Sequence, residues 1–392
     1  MKILWNIIHI WYNEQVNIFH DKGILIFILF VPLAYPMLYS YVYTNEVVRD
    51  VPAAAVDENH SAYSREFLRR IDASADVSIV AHCASMADAK ELIKQQKVYG
   101  IVRVPSTFDL DLSRGDQTTV GLYCDMCSML YYKALLLTTT NVSLEMNRNI
   151  KTSRYVLGTT EQQDKIDRMP IDYSYVPLYN PQSGFASFLI PPVLMLIIQQ
   201  TLFLGIGMSI GNSREKFCGH VIPVRHWYKD PVQIVIGKTM PYFMVYIIMA
   251  IYMFSIVNHC FALPQLAHYL TFLSFIVPYL LACIFMAMTL SALIYRREDF
   301  IMLFVFLSVP LLFLSGISWP IPAMPRFWHY FSWIFPSTFG MQGYVGINSM
   351  GASLHDIAFQ YYGLWIQALV YFLLSCLFFR IEIKKLLVRN HK

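Results

Sequence analysis

The sequence predicts a membrane all-α protein of six transmembrane helices, with an inserted α/β extracytoplasmic domain between the first helix and the second. Three observations predict it. Of the 392 residues, 56% fall in the set AVILMFWYC and only 14% are charged, whereas a soluble domain carries about 25% charged residues. Six segments are apolar over the roughly 20 residues needed to cross a hydrocarbon core of about 30 Å: 24–43, 185–211, 234–261, 269–295, 300–318 and 359–380. The stretch 44–184 is different in kind, holding 18 of the 26 acidic residues.

The chain starts with a separate feature. In residues 1–23, Ile3, Leu4, Ile7, Ile8, Trp11, Val16 and Phe19 recur at helical spacing, broken by Asn, His and Glu. This predicts an amphipathic helix in the cytoplasmic interface of the bilayer. The apolar run that begins at Ile24 is too long for the core of a signal peptide, and no small-residue cleavage site follows it. It is expected to stay as an anchor.

Residues 44–184 alternate strand and helix signals, which indicates a small α/β domain. Strands are expected at 53–56, 77–80, 100–104 and 118–123, and helices at 61–71 and 85–95, with Ser61 and Ser85 as N-caps. Residues 128–150 read as one long helix, and Pro170, Pro177 and Pro181 punctuate the return to the membrane.

Residues 185–380 carry helices two to six, and 381–392 form a basic tail. Orientation follows from lysine and arginine, which are retained on cytoplasmic flanks. With the N-terminus inside, the inner segments hold 14 basic residues, while the two shorter outer segments hold only Arg326. Both termini are therefore expected in the cytoplasm, in a multi-pass protein of the inner (plasma) membrane. Between helices five and six, residues 319–350 combine Trp319, Pro320 and Trp328 with Pro336, Gly340, Gly343 and Gly346. These breaks predict a re-entrant or short paired-helix element on the outer side, which is tolerated where protein covers it or it lines a cavity.

Tests for chemistry return little. Gly237-Lys238-Thr239 ends like a phosphate-binding loop, but position 232 is Val where the pattern needs Gly. The small residues of 205–211 read as close helix packing. Cys124 and Cys127 have C-x-x-C spacing without a second pair or a His set, so a metal or redox role is the lesser reading. No metal cluster and no catalytic triad is evident, and a net charge of +4 is too small to suggest nucleic acid. The expectation is a protein that is not an enzyme. The spans also lack central carboxylates of the kind ion-driven carriers place near the midplane. Their polar groups are Gln199, Gln200 and Gln367, and Lys238 is expected to snorkel at the inner end of helix three. An energy source outside the chain, an ATPase docking inside, is the natural complement. The loop 212–233 mixes charge (Arg214, Glu215, Lys216) with apolar Phe217 and Trp227, and a short amphipathic helix there suits a groove on a partner.

With these features in place, the chain resembles a type 2 ABC exporter permease of the subgroup with a large domain after the first helix. The stretch from Ala55 through Asp57, Ser61 and Ser64 to Arg65 resembles that family's strand and helix start. Gly100 to Val104, with Pro105 and Phe108, resembles its strand followed by P-x-x-F. Arg214-Glu215, Gly219, Gly237-Lys238 and Pro241-Tyr242 resemble the ATPase-coupling loop. Trp319-Pro320, Met324-Pro325 and Phe335-Pro336-Ser337-Thr338 resemble the outer loop before the last helix. One departure is His220-Val221-Ile222 after Gly219, where the family has Thr-x-Glu.

The resemblance implies a permease subunit that exports a small amphiphilic or hydrophobic substrate. The coupling residues it implies are Arg214, Glu215, Lys216, Phe217, Gly219 and Lys238. Cargo would pass along a dimer interface lined by helices two and five, with Gln199, Gln200 and a kink at Pro310 on the pathway. The chain itself would bind no cofactor, ATP and Mg²⁺ residing on separate ABC ATPase subunits. Further implied partners are a second permease, as homodimer or sister subunit, a periplasmic adaptor and an outer-membrane channel, all set in the lipid bilayer. The alternative is a non-transporting scaffold or receptor whose outer domain binds a partner.

Overall fold

The structure, a computed structural model, describes residues 2–154, 178–180, 184–217, 219–223, 228, 230–294 and 296–390. It divides into two compact units, Met1–Glu46 with Pro177–Lys392, and Val47–Val176. The expected prolines of the return linker (170, 177 and 181) lie outside the described residues.

The first unit is helical. Helix α1 spans Lys2–His20. Helix α2, Lys22–Val42, contains a π-turn at Ile26–Phe30. Helix α7 (numbered after the second unit's elements) is Phe185–Lys216, α8 is Pro231–Cys260, α9 is Tyr269–Leu290, α10 is Arg297–Leu314, α11 is Arg326–Ser332, α12 is Pro336–Met350 and α13 is Ala358–Asn390. Among the described residues five helices are long and apolar enough to cross a membrane: α2, α7, α8, α9 and α13 through Leu387. Helices satisfy their own backbone groups, which a hydrocarbon solvent demands.

The span expected at 300–318 is shorter in the structure. Helix α10 begins with Arg297, Glu298 and Asp299 and stops at Leu314, so its apolar part is about 22 Å long at 1.5 Å per residue. It stops because Gly316 takes φ +82°, a backbone conformation that glycine adopts without strain. Helix α13 continues through most of the basic tail, to Asn390.

Helix α7 is the centre of this unit and is enclosed from Ile190 to Gly211. Its glycines make room for neighbours. A Cβ on Gly205 would lie 2.3 Å from Ile28, and one on Gly207 would lie 2.2 Å from the Phe300 ring. Helix α12 also depends on glycine. Gly340, Gly343 and Gly346 were expected to break it, yet it runs unbroken. Pro336 sits in its first turn, where no amide partner is lost. Gly340 and Gly343 face Tyr279 and Phe275, and a Cβ at either would come within 2.5 Å of those rings.

The second unit is a four-stranded sheet in the order β2-β1-β3-β4. Strand β1 (Val51–Asp57) pairs in parallel with β2 (Val77–His82) and β3 (Gly100–Val104), and β4 (Gly121–Cys124) pairs antiparallel with β3. Helices α3 (Ala62–Asp72), α4 (Met86–Lys94), α5 (Phe108–Arg114) and α6 (Met129–Arg154) complete it. One sheet face packs Val51, Ala53, Ala55, Val102 and Val104 on Phe67, Ile71, Phe108, Leu135 and Met146. The other packs Ala54, Val56 and Ile101 on Ala89 and Val98. Covering on both faces explains the continuous apolar run of β1. Ser61 and Ser85 accept from the amides of Ser64 and Asp88 as N-caps.

The stretch from Asp57 to Arg65 forms a local knot. Asp57 Oδ1 accepts from the amides of Asn59 and His60, Asp57 Oδ2 accepts from Ser64 Oγ at 2.8 Å, and Arg65 donates to the carbonyl of His60. These side chains fix the turn from strand to helix. Helix α5 was not expected. Its signals are Asp109 and Asp111 in the first turn and Gly115, at φ +88°, at its end.

Candidate functional site at the loop-bearing end of the helical unit

Helices α1 and α8 run in parallel along one stripe, with Asn6, Ile10 and Glu14 of α1 spaced four residues apart. Asn6 Nδ2 donates to Gln233 Oε1 at 3.1 Å. Ile10 sits against Gly237, where a Cβ would lie 2.8 Å from that of Ile10. Glu14 Oε2 accepts from Lys238 Nζ at 2.6 Å, and Glu14 Oε1 accepts from Tyr242 Oη at 2.8 Å and from Ser209 Oγ at 3.0 Å. The ion-paired side chains of Lys238 and Glu14 are only 3% and 4% exposed. Charges buried this deeply persist only when paired and hydrogen-bonded. Burial pushes the Glu14 carboxyl up, but the Lys238 ammonium and the hydrogen bonds from Lys238, Tyr242 and Ser209 outweigh it and hold the carboxyl below its ordinary value.

This corrects one expectation. Lys238 does not snorkel out of α8, because a carboxylate inside the unit takes its charge. The buried stripe of α1 is Ile10, Glu14 and Ile18. Its outward stripe is Ile3, Leu4, Trp5, Ile8, Tyr12, Val16 and Phe19, all exposed. An uncovered apolar stripe of this length does not suit water, and it fits lipid.

A second tie lies at the break between α1 and α2. Asp21 caps α2, its Oδ1 accepting from the amides of Gly23 and Ile24 and from Arg297 Nη2 at 2.9 Å. Asp21 Oδ2 accepts from Asn212 Nδ2 at 2.7 Å. Partial burial raises its pKa, but the Arg297 hydrogen bond, the Ile24 and Gly23 amides and the guanidinium charge lower it further, and the net direction is down.

A third tie is Arg214. Its Nη2 donates to the carbonyl of Ser291 at 2.7 Å, its Nη1 donates to that of Ile294, and its guanidinium lies 5.9 Å from the centre of the Phe378 ring. The guanidinium thus lies just past the C-terminus of α9, on the carbonyls of its C-cap Ser291 and of Ile294, where a cation meets the negative end of that helix. These three ties join α1, α2, α7, α8, α9, α10 and α13 around the end of the helical unit where α7 stops at Lys216 and α8 starts at Pro231.

The residues singled out for coupling separate into two groups. Arg214 and Lys238 lie within helices and are buried. Glu215, Lys216 and Gly219 are exposed, and Phe217 is half-buried. Ile222, at the position where an acidic contact was expected, is buried with Val221 in the helical core. Arg225, Trp227 and Lys229 lie outside the described residues.

The pathway residues also part. Gln199 and Gln200, at 2% and 5% exposure, lie inside the subunit on α7, so neither is on an open face of helix two. Gln199 Oε1 accepts from the Ser337 amide at 2.5 Å and so caps α12. Gln200 Nε2 is buried without a hydrogen-bond partner. Pro310 sits in α10 and is exposed, among exposed Ile301, Met302, Val305, Phe306 and Val309. Of the outer element, Trp319 and Pro320 are exposed, whereas Pro336, Ser337 and Thr338 are buried at the start of α12.

Sequence reasoning missed Glu14, Asp21, Asn212 and Arg297 as a group. The available signal was polar Asn6 and Glu14 opposite an apolar stripe on one short helix. Among the described residues no three His, Cys, Asp or Glu side chains converge as a metal site would need.

Among the described residues, five helices of this unit are long and apolar enough to cross a membrane, and buried polar ties join its helices at one end. The family model for the ABC-2 family transporter protein matches residues 22–377, and the chain belongs to that family. It is similar to the probable multidrug ABC transporter permease YbhR of Escherichia coli strain K12, with 22% identity over 347 residues, 85% of this chain and 86% of that one. The protein of the same name in Escherichia coli O157:H7 matches to the same extent. The chain is thus an ABC transporter permease subunit.

Proposed function

We propose that this subunit exports a small amphiphilic or hydrophobic substrate from the cytoplasm or the inner leaflet, using ATP hydrolysed with Mg²⁺ by separate ABC ATPase subunits. The observation that carries the reading is the loop-bearing end. There the exposed Glu215 and Lys216 sit directly on α7 beside Arg214, which is bonded to the end of α9. A partner pressing on residues 215–219 acts on a helix end already tied to its neighbours. The multidrug name of the YbhR relatives supports the substrate class.

Four finer assignments go with it. Helix α10 is the sixth span, shortened by Gly316. The N- and C-termini lie in the cytoplasm of an inner-membrane protein and residues 47–176 outside it, because lysine and arginine gather on the opposite flanks. Two permease subunits pair, as a homodimer or with a sister subunit, through the open apolar face of α10. The outer domain meets a periplasmic adaptor that leads to an outer-membrane channel.

The test is uptake of an amphiphilic fluorescent dye into inverted membrane vesicles containing the chain and its ATPase. The reading predicts ATP-dependent uptake that stops with a non-hydrolysable ATP analogue. Uptake driven by a proton gradient without ATP would contradict it.

A further inference from the structure

The second unit holds a cavity of about 560 Å³ between α3 and the carboxyl ends of β1 and β2. Its place follows from the topology. Strands β1 and β2 are parallel neighbours, but the connections that leave them part. After β1 the chain passes into α3, which packs Phe67 and Ile71 on the Ala53 and Ala55 face of the sheet. After β2 it passes into α4, which packs Ala89 on the Ala54 and Val56 face. In open α/β sheets ligands bind in the crevice that such a divergence opens at the carboxyl ends of the strands. The volume lies within the roughly 300–1,000 Å³ of small-molecule sites.

The floor is Ala55, Leu68 and Ile79. Charge is sorted along α3. Arg65 stands one turn from the start of the helix, and Asp72 is its last residue. Seven positions apart, the two share one face of the helix and are separated by about 10 Å along its axis. The other charged side chains of the lining are already engaged. Arg69 is paired with Glu66, and Asp57 accepts from the amides of Asn59 and His60 and from Ser64 Oγ. Arg65 and Asp72 each bond one backbone group, the His60 carbonyl and the Ile79 amide, and neither has an ion-pair partner among the described residues. A cation near the start of a helix and an anion at its end oppose the helix dipole, so neither placement stabilises α3.

Both placements suit a ligand charged in the opposite order. A negative group at the start of α3 is attracted by Arg65 and by the dipole, and a positive group at its end by Asp72 and by the dipole. An extended peptide rises about 3.3 Å per residue, so three residues set a terminal carboxylate about 10 Å from a terminal ammonium. We infer that this cavity binds a short peptide of about three residues, its carboxylate at Arg65, its ammonium at Asp72 and its middle on Leu68 and Ile79. The inference stands apart from the transport reading, since it concerns binding to the second unit alone.

Cys83, half-buried on the wall of the cavity, reports occupancy. Its alkylation by iodoacetamide is followed by peptide mass spectrometry in the full chain in lipid nanodiscs, with trialanine as the probe. Trialanine is expected to slow the reaction at Cys83 saturably and to leave that of exposed Cys127 unchanged. N-acetyl-trialanine and trialanine amide each lack one charge, and each is expected to need about tenfold more to half-saturate, the equivalent of about 1.4 kcal/mol. Arg65→Gln is expected to erase the difference between trialanine and its amide. Asp72→Asn, which keeps an acceptor for the Ile79 amide, is expected to erase the difference between trialanine and its N-acetyl form. No protection of Cys83 by trialanine in the folded protein, equal protection by all three peptides, or an unchanged preference in the Arg65→Gln and Asp72→Asn proteins would overturn the assignment.

Discussion

Glu14 and Lys238, 224 positions apart in the chain, form an ion pair at 2.6 Å with both side chains almost sealed from solvent. Removing one partner strands a buried charge, which costs about 3–5 kcal/mol, whereas replacing both with apolar groups of similar size is often close to neutral. Lys238→Met and Glu14→Leu are each expected to destabilise the protein by that amount, and the double variant to recover most of it. Thermal unfolding of the four proteins in one detergent checks this. A double variant as unstable as the sum of the singles would exclude the pairing.

Arg214 and its neighbours should separate fold from coupling. Arg214→Ala removes two hydrogen bonds to the carbonyls of Ser291 and Ile294, just past the end of α9, and Arg214→Lys cannot restore the forked pair of bonds. Both should lower thermal stability. Glu215→Ala and Lys216→Ala, at exposed positions, should leave stability within about 0.5 kcal/mol and reduce stimulation of ATP turnover by a partner.

Gly207 is predicted to be irreplaceable while Phe300 is present. The Cβ of Gly207→Ala meets the buried Phe300 ring at 2.2 Å, and such overpacking costs about 1–3 kcal/mol. Phe300→Ala should suppress the effect in a double-mutant cycle of unfolding free energies.

Acid should loosen the loop-bearing end. The carboxyls of Glu14 and Asp21 are both held below their ordinary values, 4.5 and 3.8. Their stabilisation is therefore complete above those values and is lost as pH falls through the lower, folded-state ones. Hydrogen exchange in α1 and the first turns of α8 should be flat from pH 7 to pH 5, after correction for the intrinsic rate, and should rise below about pH 4. The Glu14→Leu/Lys238→Met protein should show a smaller rise.

Much of this was legible because the bilayer imposes long apolar runs, and five of them reappear as helices long enough to cross. What was not legible depends on partners distant in sequence. Nothing near Lys238 announces Glu14, so a lysine in an apolar helix read as a snorkelling one. Gly340 and Gly343 read as breaks, because Tyr279 and Phe275, the rings that need the space, lie on another helix. Helix α10 read as a full span because hydropathy does not register the left-handed turn at Gly316. The caps of Ser61 and Ser85 were readable, since their partners lie three residues away.

The most direct test isolates the tagged chain from its native membrane in mild detergent and measures ATP hydrolysis by the purified material. The account predicts that a separate ATPase subunit co-purifies, that ATP is turned over, and that Glu215→Ala with Lys216→Ala lowers that turnover while the fold is retained. A chain that purifies intact with no nucleotide-hydrolysing partner and no ATP turnover would contradict it.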